Sequence, residues 1–239
     1  MILRRFVLAS AVFFLGFGAI AQETKDNPAA KPLNRDNPRH KEFLKSVASG
    51  QGDVIFLGDS ITQGWNKKVW DENFAAFKPV NLGISGDQTG HVIWRITEGK
   101  EIEPLKPKLA VIMIGTNNTG GHTPEQIASG IKAIIDELRK QKPDMKILLL
   151  GVFPRAGGIA KEETVAPAEK LNPKIKAIND IIAKYDDGKM VFYKDIGAKF
   201  LNDKGGLEKK IMPDLLHLSQ AGYEIWAANV KDDIAKLVK

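Results

Sequence analysis

The chain has 239 residues, 43% hydrophobic and 27% charged, with no cysteine and a formal net charge of +6 at pH 7. That length suits one sizeable α/β domain with its own core, and the composition is that of an ordinary globular chain. The absence of cysteine excludes disulfides, a cysteine nucleophile and zinc–thiolate sites. The lysines are scattered and not interleaved with aromatics, which argues against a nucleic-acid partner. They read as a solvated basic face, or more softly as an attraction to anionic glycans or membrane surfaces.

At the N-terminus, Arg4-Arg5 precede an apolar stretch from Phe6 to Ile20 that closes on Ala19-Ile20-Ala21. This is the n-region, h-region and small-residue cleavage site of a secretory signal peptide. Cleavage is expected after Ala21, giving a mature start at Gln22 and a secreted or periplasmic protein without stable membrane insertion. The apolar stretch is short for a membrane span, an uncleaved anchor being the alternative. Removal of Arg4 and Arg5 lowers the charge from +6 to +4. Residues 22–40, with Pro28, Pro32 and Pro38, read as a flexible leader or a strap over the fold. Residues 41–239 read as a single domain, with helical spacing already present from Arg39 to Ser49.

Strands and helices then alternate. Asp53–Leu57, Lys78–Leu82, Leu109–Ile114, Lys146–Val152 and Lys189–Tyr193 are strand candidates. Gly90–Ile96, Thr123–Lys140, Pro173–Tyr185 and Ser219–Val238 are helical, the last with Ser219 as a candidate N-cap. Ile127, Ile131, Ile134, Ile135 and Leu138 fall on one helical face. Strands that are apolar throughout and separated by helices predict a parallel sheet covered on both faces. In such sheets sites gather beyond the C-terminal strand ends.

Four blocks lie at such ends or near the C-terminus: Gly58-Asp59-Ser60-Ile61-Thr62, Asn81-Leu82-Gly83-Ile84-Ser85-Gly86-Asp87, Gly115-Thr116-Asn117-Asn118 and Asp214-Leu215-Leu216-His217. Together they supply a nucleophile, a base, an orienting carboxylate and oxyanion donors, the roles that acyl transfer needs. Ser60 is either the nucleophile or a helix cap. His217 is either the base, oriented by Asp214, or a structural histidine. The three-residue spacing lets both side chains come from one turn. Gly86 and Asn117, with the Ser60 N–H, are the oxyanion candidates, against a turn and a helix cap. Asp59, Asp87 and Thr116 read as loop ties. His40, His91 and His122 read as structural, Trp94 and Arg95 as packing or surface residues. Trp65 and Trp70 either pack in the core or line the acyl or leaving-group side. The long 153–171 connection, the Gln63–Asn66 loop and the block Thr119–His122 are candidate rims of the site, the first a candidate lid.

These blocks resemble the SGNH hydrolases, or GDSL esterases, whose four letters map onto Ser60, Gly86, Asn117 and His217. The run from Asn81 to Ile96 and the run Gly115 to Thr123 look closest to the catalytic subunits of intracellular platelet-activating-factor acetylhydrolase. The chain departs at Ile61, where the GDSL name implies leucine. The resemblance implies a three-layer α/β/α, flavodoxin-like fold with a central parallel five-stranded sheet. It also implies a Ser-His-Asp esterase for short acyl, above all acetyl, esters, with no cofactor or metal and, by analogy, a homodimer. An acetylated carbohydrate is the expected substrate of a secreted member. A lysophospholipase, a thioesterase, an acyltransferase on the same residues and a catalytically silent glycan- or lipid-binding module are the alternatives.

Overall fold

A computed structural model describes residues 27–156 and 163–239; the expected signal peptide and the tip of the 153–171 connection lie outside them. Five parallel strands form the central sheet: β1 (Val54–Gly58), β2 (Pro79–Gly83), β3 (Leu109–Met113), β4 (Lys146–Leu150) and, last in the chain, β6 (Val191–Lys194). Their order is β2-β1-β3-β4-β6, with Gly58 in register with Gly83 on one side and Met113 on the other. Two short antiparallel strands, β5 (Val165–Ala166) and β7 (Leu207–Glu208), pair outside the sheet.

Every residue of β1 and β3 is buried, so both faces must be covered. Alternation along the strand sends Ile55, Leu57, Ala110 and Ile112 to one side. They meet α1 (Pro38–Val47), α4 (Thr89–Ile96), α5 (Pro124–Gln141) and α6 (Pro173–Ile182). Val54, Phe56, Leu109, Val111 and Met113 face the other side, against Ile61 of α2 (Ser60–Gln63), α3 (Lys67–Phe74) and α7 (Gln220–Leu237). The three layers therefore follow from the strand pattern. Trp65 and Trp70 pack in this second core: Trp65 lies 4.5 Å from Trp226 and 4.8 Å from Tyr223 between ring centroids, and Trp70 4.7 Å from Phe56.

The strand order places the reversal of winding between β1 and β3, because the chain goes from β1 out to β2 and then back across to β3. A crevice opens at such a reversal, beyond the carboxyl ends of the strands. The Ser60 and Asn117 blocks leave the sheet at that point.

Residues 27–37, just before α1, form a strap. Asn27 caps a short 3-10 turn, Pro28–Ala30, and donates to the Gln126 carbonyl at 2.9 Å. Thr89 Oγ1 donates to the Ala29 carbonyl at 2.6 Å, and Leu33 N to Gly90 O at 2.9 Å. Among the described residues no helix is long and apolar enough to cross a membrane.

Candidate active site

Strand β1 ends at Gly58, and Asp59 caps α2 by accepting the Ile61 N–H at 3.0 Å. The turn is tight: a Cβ at Gly58 would lie 2.1 Å from Thr62 Oγ1 and 2.5 Å from the Met113 carbonyl. Ser60 is thereby set at the N-terminus of α2, half-buried, with its hydroxyl turned to the last loop of the chain.

That loop runs Asp214-Leu215-Leu216-His217 before α7. Leu215 adopts φ +61°, a left-handed turn that few non-glycine residues take. Its buried side chain and its carbonyl, which accepts the Ala156 N–H at 3.1 Å, hold it there. The turn folds Asp214 back on its own loop. One carboxylate oxygen accepts the N–H groups of Leu216 and His217 at 3.0 and 2.7 Å, and the other meets His217 Nδ1 at 2.6 Å. His217 Nε2 lies 2.8 Å from Ser60 Oγ. A carboxylate opposite Nδ1 requires the proton there, which leaves the Nε2 lone pair to accept from the serine hydroxyl. Burial raises the Asp214 carboxyl, but the hydrogen bonds from the His217 side chain and backbone outweigh it and the net shift is downward. Asp214 therefore stays charged beside the imidazole. The site is open: the side chains of His217 and Asp214 keep 44% and 56% exposure.

The second loop follows β2. Ile84 N donates to Gly58 O at 3.2 Å, and Ser85 N to Gln63 Oε1 at 2.7 Å, so the loop is fastened to the turn and helix that carry Ser60. Gly86 is exposed at φ +80°, a conformation that favours glycine. The third block follows β3. Asn117 donates its amide nitrogen to the Asp87 carbonyl at 2.9 Å, and Gln88 Nε2 reaches the Asn117 carbonyl at 3.2 Å. The Asn117 amide nitrogen carries two N–H groups, and the Asp87 carbonyl takes one of them. Asn118 is fully buried and bonds Thr89 through both side-chain ends, at 3.0 and 3.2 Å. The adjacent asparagines therefore have separate tasks.

Asp59 is fully buried, with Oδ2 unpartnered, and burial pushes its carboxyl up to about 7. His91 is pushed down to about 4 by burial and by Arg35 and Arg95. Its neutral Nδ1 accepts the Gln88 N–H at 2.9 Å. Arg95 is not a surface residue: it is 2% exposed and paired with Asp87 and Glu101. Helical spacing alone could not show this, because Glu101 returns from the turns after α4. Gln63, expected only as part of a rim loop, and Tyr223, whose hydroxyl donates to Ile61 O at 2.7 Å and which no sequence motif marked, are two further ties of the Ser60 turn. Among the described residues no group of three His, Cys, Asp or Glu is placed to hold a metal ion.

The fold and this cluster define an α/β hydrolytic enzyme with a serine at a strand end and a histidine–carboxylate pair on the last loop. The chain belongs to the GDSL-like lipase/acylhydrolase family, whose model matches residues 56–225. It is similar to the alpha1 subunit of platelet-activating factor acetylhydrolase IB from Bos taurus, 32% identical over 208 residues, which are 83% of this chain and 85% of that one. A GDSL-like lipase from Bacteroides thetaiotaomicron shares the fold, with a TM-score of 0.65 and 21% identity over 82% of this chain and 97% of that one. So does a carbohydrate esterase family 3 protein from Talaromyces cellulolyticus, with a TM-score of 0.57 and 19% identity over 79% and 98% of the two chains. The protein is a hydrolase that cleaves esters.

Proposed function

We propose that the chain is a secreted serine esterase that removes short acyl groups, chiefly acetyl, from carbohydrate hydroxyls by two-step acyl transfer. The observation that carries this reading is the continuous hydrogen-bonded line from Ser60 Oγ through His217 to Asp214. His217 Nε2 takes the Ser60 proton as Oγ attacks the ester carbonyl. The oxyanion is received by the N–H groups of Ser60 and Gly86 and the free amide N–H of Asn117. His217 then protonates the leaving alcohol, and water repeats the sequence on the acyl-enzyme.

The openness of the site supports a substrate whose acetyl group projects from a bulky body. Gly86 and Ser85 are exposed, as is much of His217. The Arg4-Arg5 and apolar pattern of the first 21 residues supports export, where acetylated glycans are met. Self-association, implied by the resemblance, is checked by sedimentation of the mature chain.

The test is hydrolysis of p-nitrophenyl acetate, butyrate and octanoate by residues 22–239, beside Ser60→Ala, followed by acetate release from acetylated xylan. Acetate turnover that vanishes in Ser60→Ala is expected. Equal rates in both proteins would remove Ser60 from its role, and a preference for octanoate would favour a lipid substrate.

A further inference from the structure

A line of buried charge runs away from the oxyanion loop and is not used by the chemistry proposed above. It begins at Asp87, the neighbour of Gly86 and the residue whose carbonyl anchors Asn117. The Asp87 carboxylate accepts from Arg95 Nε at 2.8 Å, and its other oxygen meets Arg35 of the strap at 2.9 Å. Arg95 Nη1 donates to Glu101 Oε1. Glu101 Oε2 accepts from His40 Nδ1 of α1 at 2.8 Å. Asp87, Arg95 and Glu101 are 2% exposed or less, and His40 is 6% exposed.

Burying two carboxylates and a guanidinium is a poor way to stabilise a fold. Apolar groups of the same volume often do as well or better, because each ion must be stripped of water. Here Arg95 Nη2 is also left buried without a partner. What such a line supplies is position, since charge-assisted bonds have narrow geometry. Both anchor points are on the proposed oxyanion donors: the Asp87 backbone follows Gly86 directly and holds the Asn117 amide.

We propose that Arg95, Glu101 and His40 are positioning residues that fix the Asp87 backbone and, through it, aim the Gly86 N–H and the Asn117 amide at the oxyanion. This inference rests on the serine-esterase reading. The far end of the line lies on α1, so a residue on the face remote from the nucleophile sets transition-state binding while leaving ground-state binding alone.

The test is Glu101→Gln, with His40→Leu and His40→Asn beside it, since Asn can return a donor near the Nδ1 position. Each is checked for folding by circular dichroism and assayed for kcat and KM on p-nitrophenyl acetate. Affinity for a small boronic acid, which forms a tetrahedral adduct on the serine, is measured in parallel. Glu101→Gln is expected to lower kcat 10- to 100-fold with KM changed less than threefold, and to weaken the boronate by the same factor as kcat/KM. His40→Leu is expected to lower kcat about tenfold and His40→Asn to restore most of it. If Glu101→Gln does not fold, the His40 pair carries the test. Folded variants with wild-type kcat and boronate affinity would overturn the proposal, as would losses confined to KM. Ser60→Ala, run in parallel, separates the two failures: if it retains turnover, the active-site reading falls; if it is inactive while the network variants keep full rate, only the positioning proposal falls.

Discussion

Tyr223 on the last helix donates its hydroxyl to the carbonyl of Ile61, directly after the candidate nucleophile, at 2.7 Å and across 162 residues of sequence. With Asp59 accepting the Ile61 N–H from the other side, the residue that follows Ser60 is held through both its N–H and its carbonyl. Tyr223 is 3% exposed, so Tyr223→Phe leaves a buried carbonyl short of its partner. A loss of about 1–2 kcal/mol in urea unfolding is expected, with a several-fold fall in kcat as the serine turn loosens. Unchanged stability and rate would show that the phenol merely fills space.

Asn117 and Asn118 are adjacent but separable. Asn117→Ala removes the amide that donates to the Asp87 carbonyl while leaving the core bonds of Asn118 intact. The oxyanion role proposed for Asn117 predicts a loss of about 100- to 1,000-fold in kcat with little change in melting temperature. Asn118→Ala strands the Thr89 N–H in the core and is expected to cost about 2 kcal/mol of stability. The reverse pattern, a rate loss confined to Asn118→Ala, would reassign the oxyanion role.

Buried Asp59 and half-buried His91 should tilt the pH dependence of stability in opposite directions. Asp59 is raised by burial to about 7, so the folded state holds its proton where the unfolded state has lost it. Its contribution is fully present below the unfolded value of 3.8 and disappears as pH rises toward 7. His91 is depressed to about 4 from 6.5, so its contribution is present above 6.5 and is lost as pH falls toward 4. Asp59→Asn, which keeps the acceptor for Ile61 N, should therefore make stability rise more steeply with pH between about 4 and 7 than in the parent. His91→Gln should make it fall relative to the parent over nearly the same window. Chemical unfolding at several pH values reads both slopes. Two variants with slopes parallel to the parent would mean that neither group titrates abnormally.

The sequence marked the five sheet strands to within a residue or two because each is a short apolar run that must be covered on both faces. It set the last strand two residues early, at Lys189–Tyr193. The Asp187 carboxylate takes the N–H groups of Lys189, Met190 and Val191 at 2.8, 2.7 and 2.9 Å, a side-chain turn that delays the strand to Val191. Helix α3 went unmarked. Its buried residues are only Val69 and Phe74, and its start depends on Asn66 accepting the Val69 N–H. Strands β5 and β7, two residues each, carry no periodicity at all. The blocks holding Ser60, Asp214 and His217 stood out in the sequence by residue type and spacing, and the structure places the three side chains in one hydrogen-bonded line. Arg95 did not stand out, since its partners Asp87 and Glu101 come from a loop and from the turns after its helix, and no local pattern ties His40 to Asp87. The lid expectation for 153–171 falls on 157–162, outside the described residues, while the ends of that connection are held by the Ala156–Leu171 bridge and by β5.

Gly58 offers the sharpest link between packing and chemistry. A methyl group there would meet Thr62 Oγ1 at 2.1 Å, the Met113 carbonyl at 2.5 Å and Thr62 Cβ at 2.8 Å. The carbonyl belongs to β3, whose register with β1 cannot slip without turning every side chain to the wrong face. The strain must therefore move α2, and Ser60 with it, away from the strand that leads to Asn117. Gly58→Ala is expected to cost about 3 kcal/mol of stability. In the fraction that folds, it should lower kcat more than any stability loss explains, since a displacement of about 1 Å at a reacting group can cost about 100-fold. Gly120→Ala, where an added Cβ meets nothing within 4 Å, is the control for stability and should leave it unchanged. Urea unfolding paired with kcat on folded protein checks this. A Gly58→Ala protein that is as stable and as active as its parent would mean that the nucleophile turn is not held against β3.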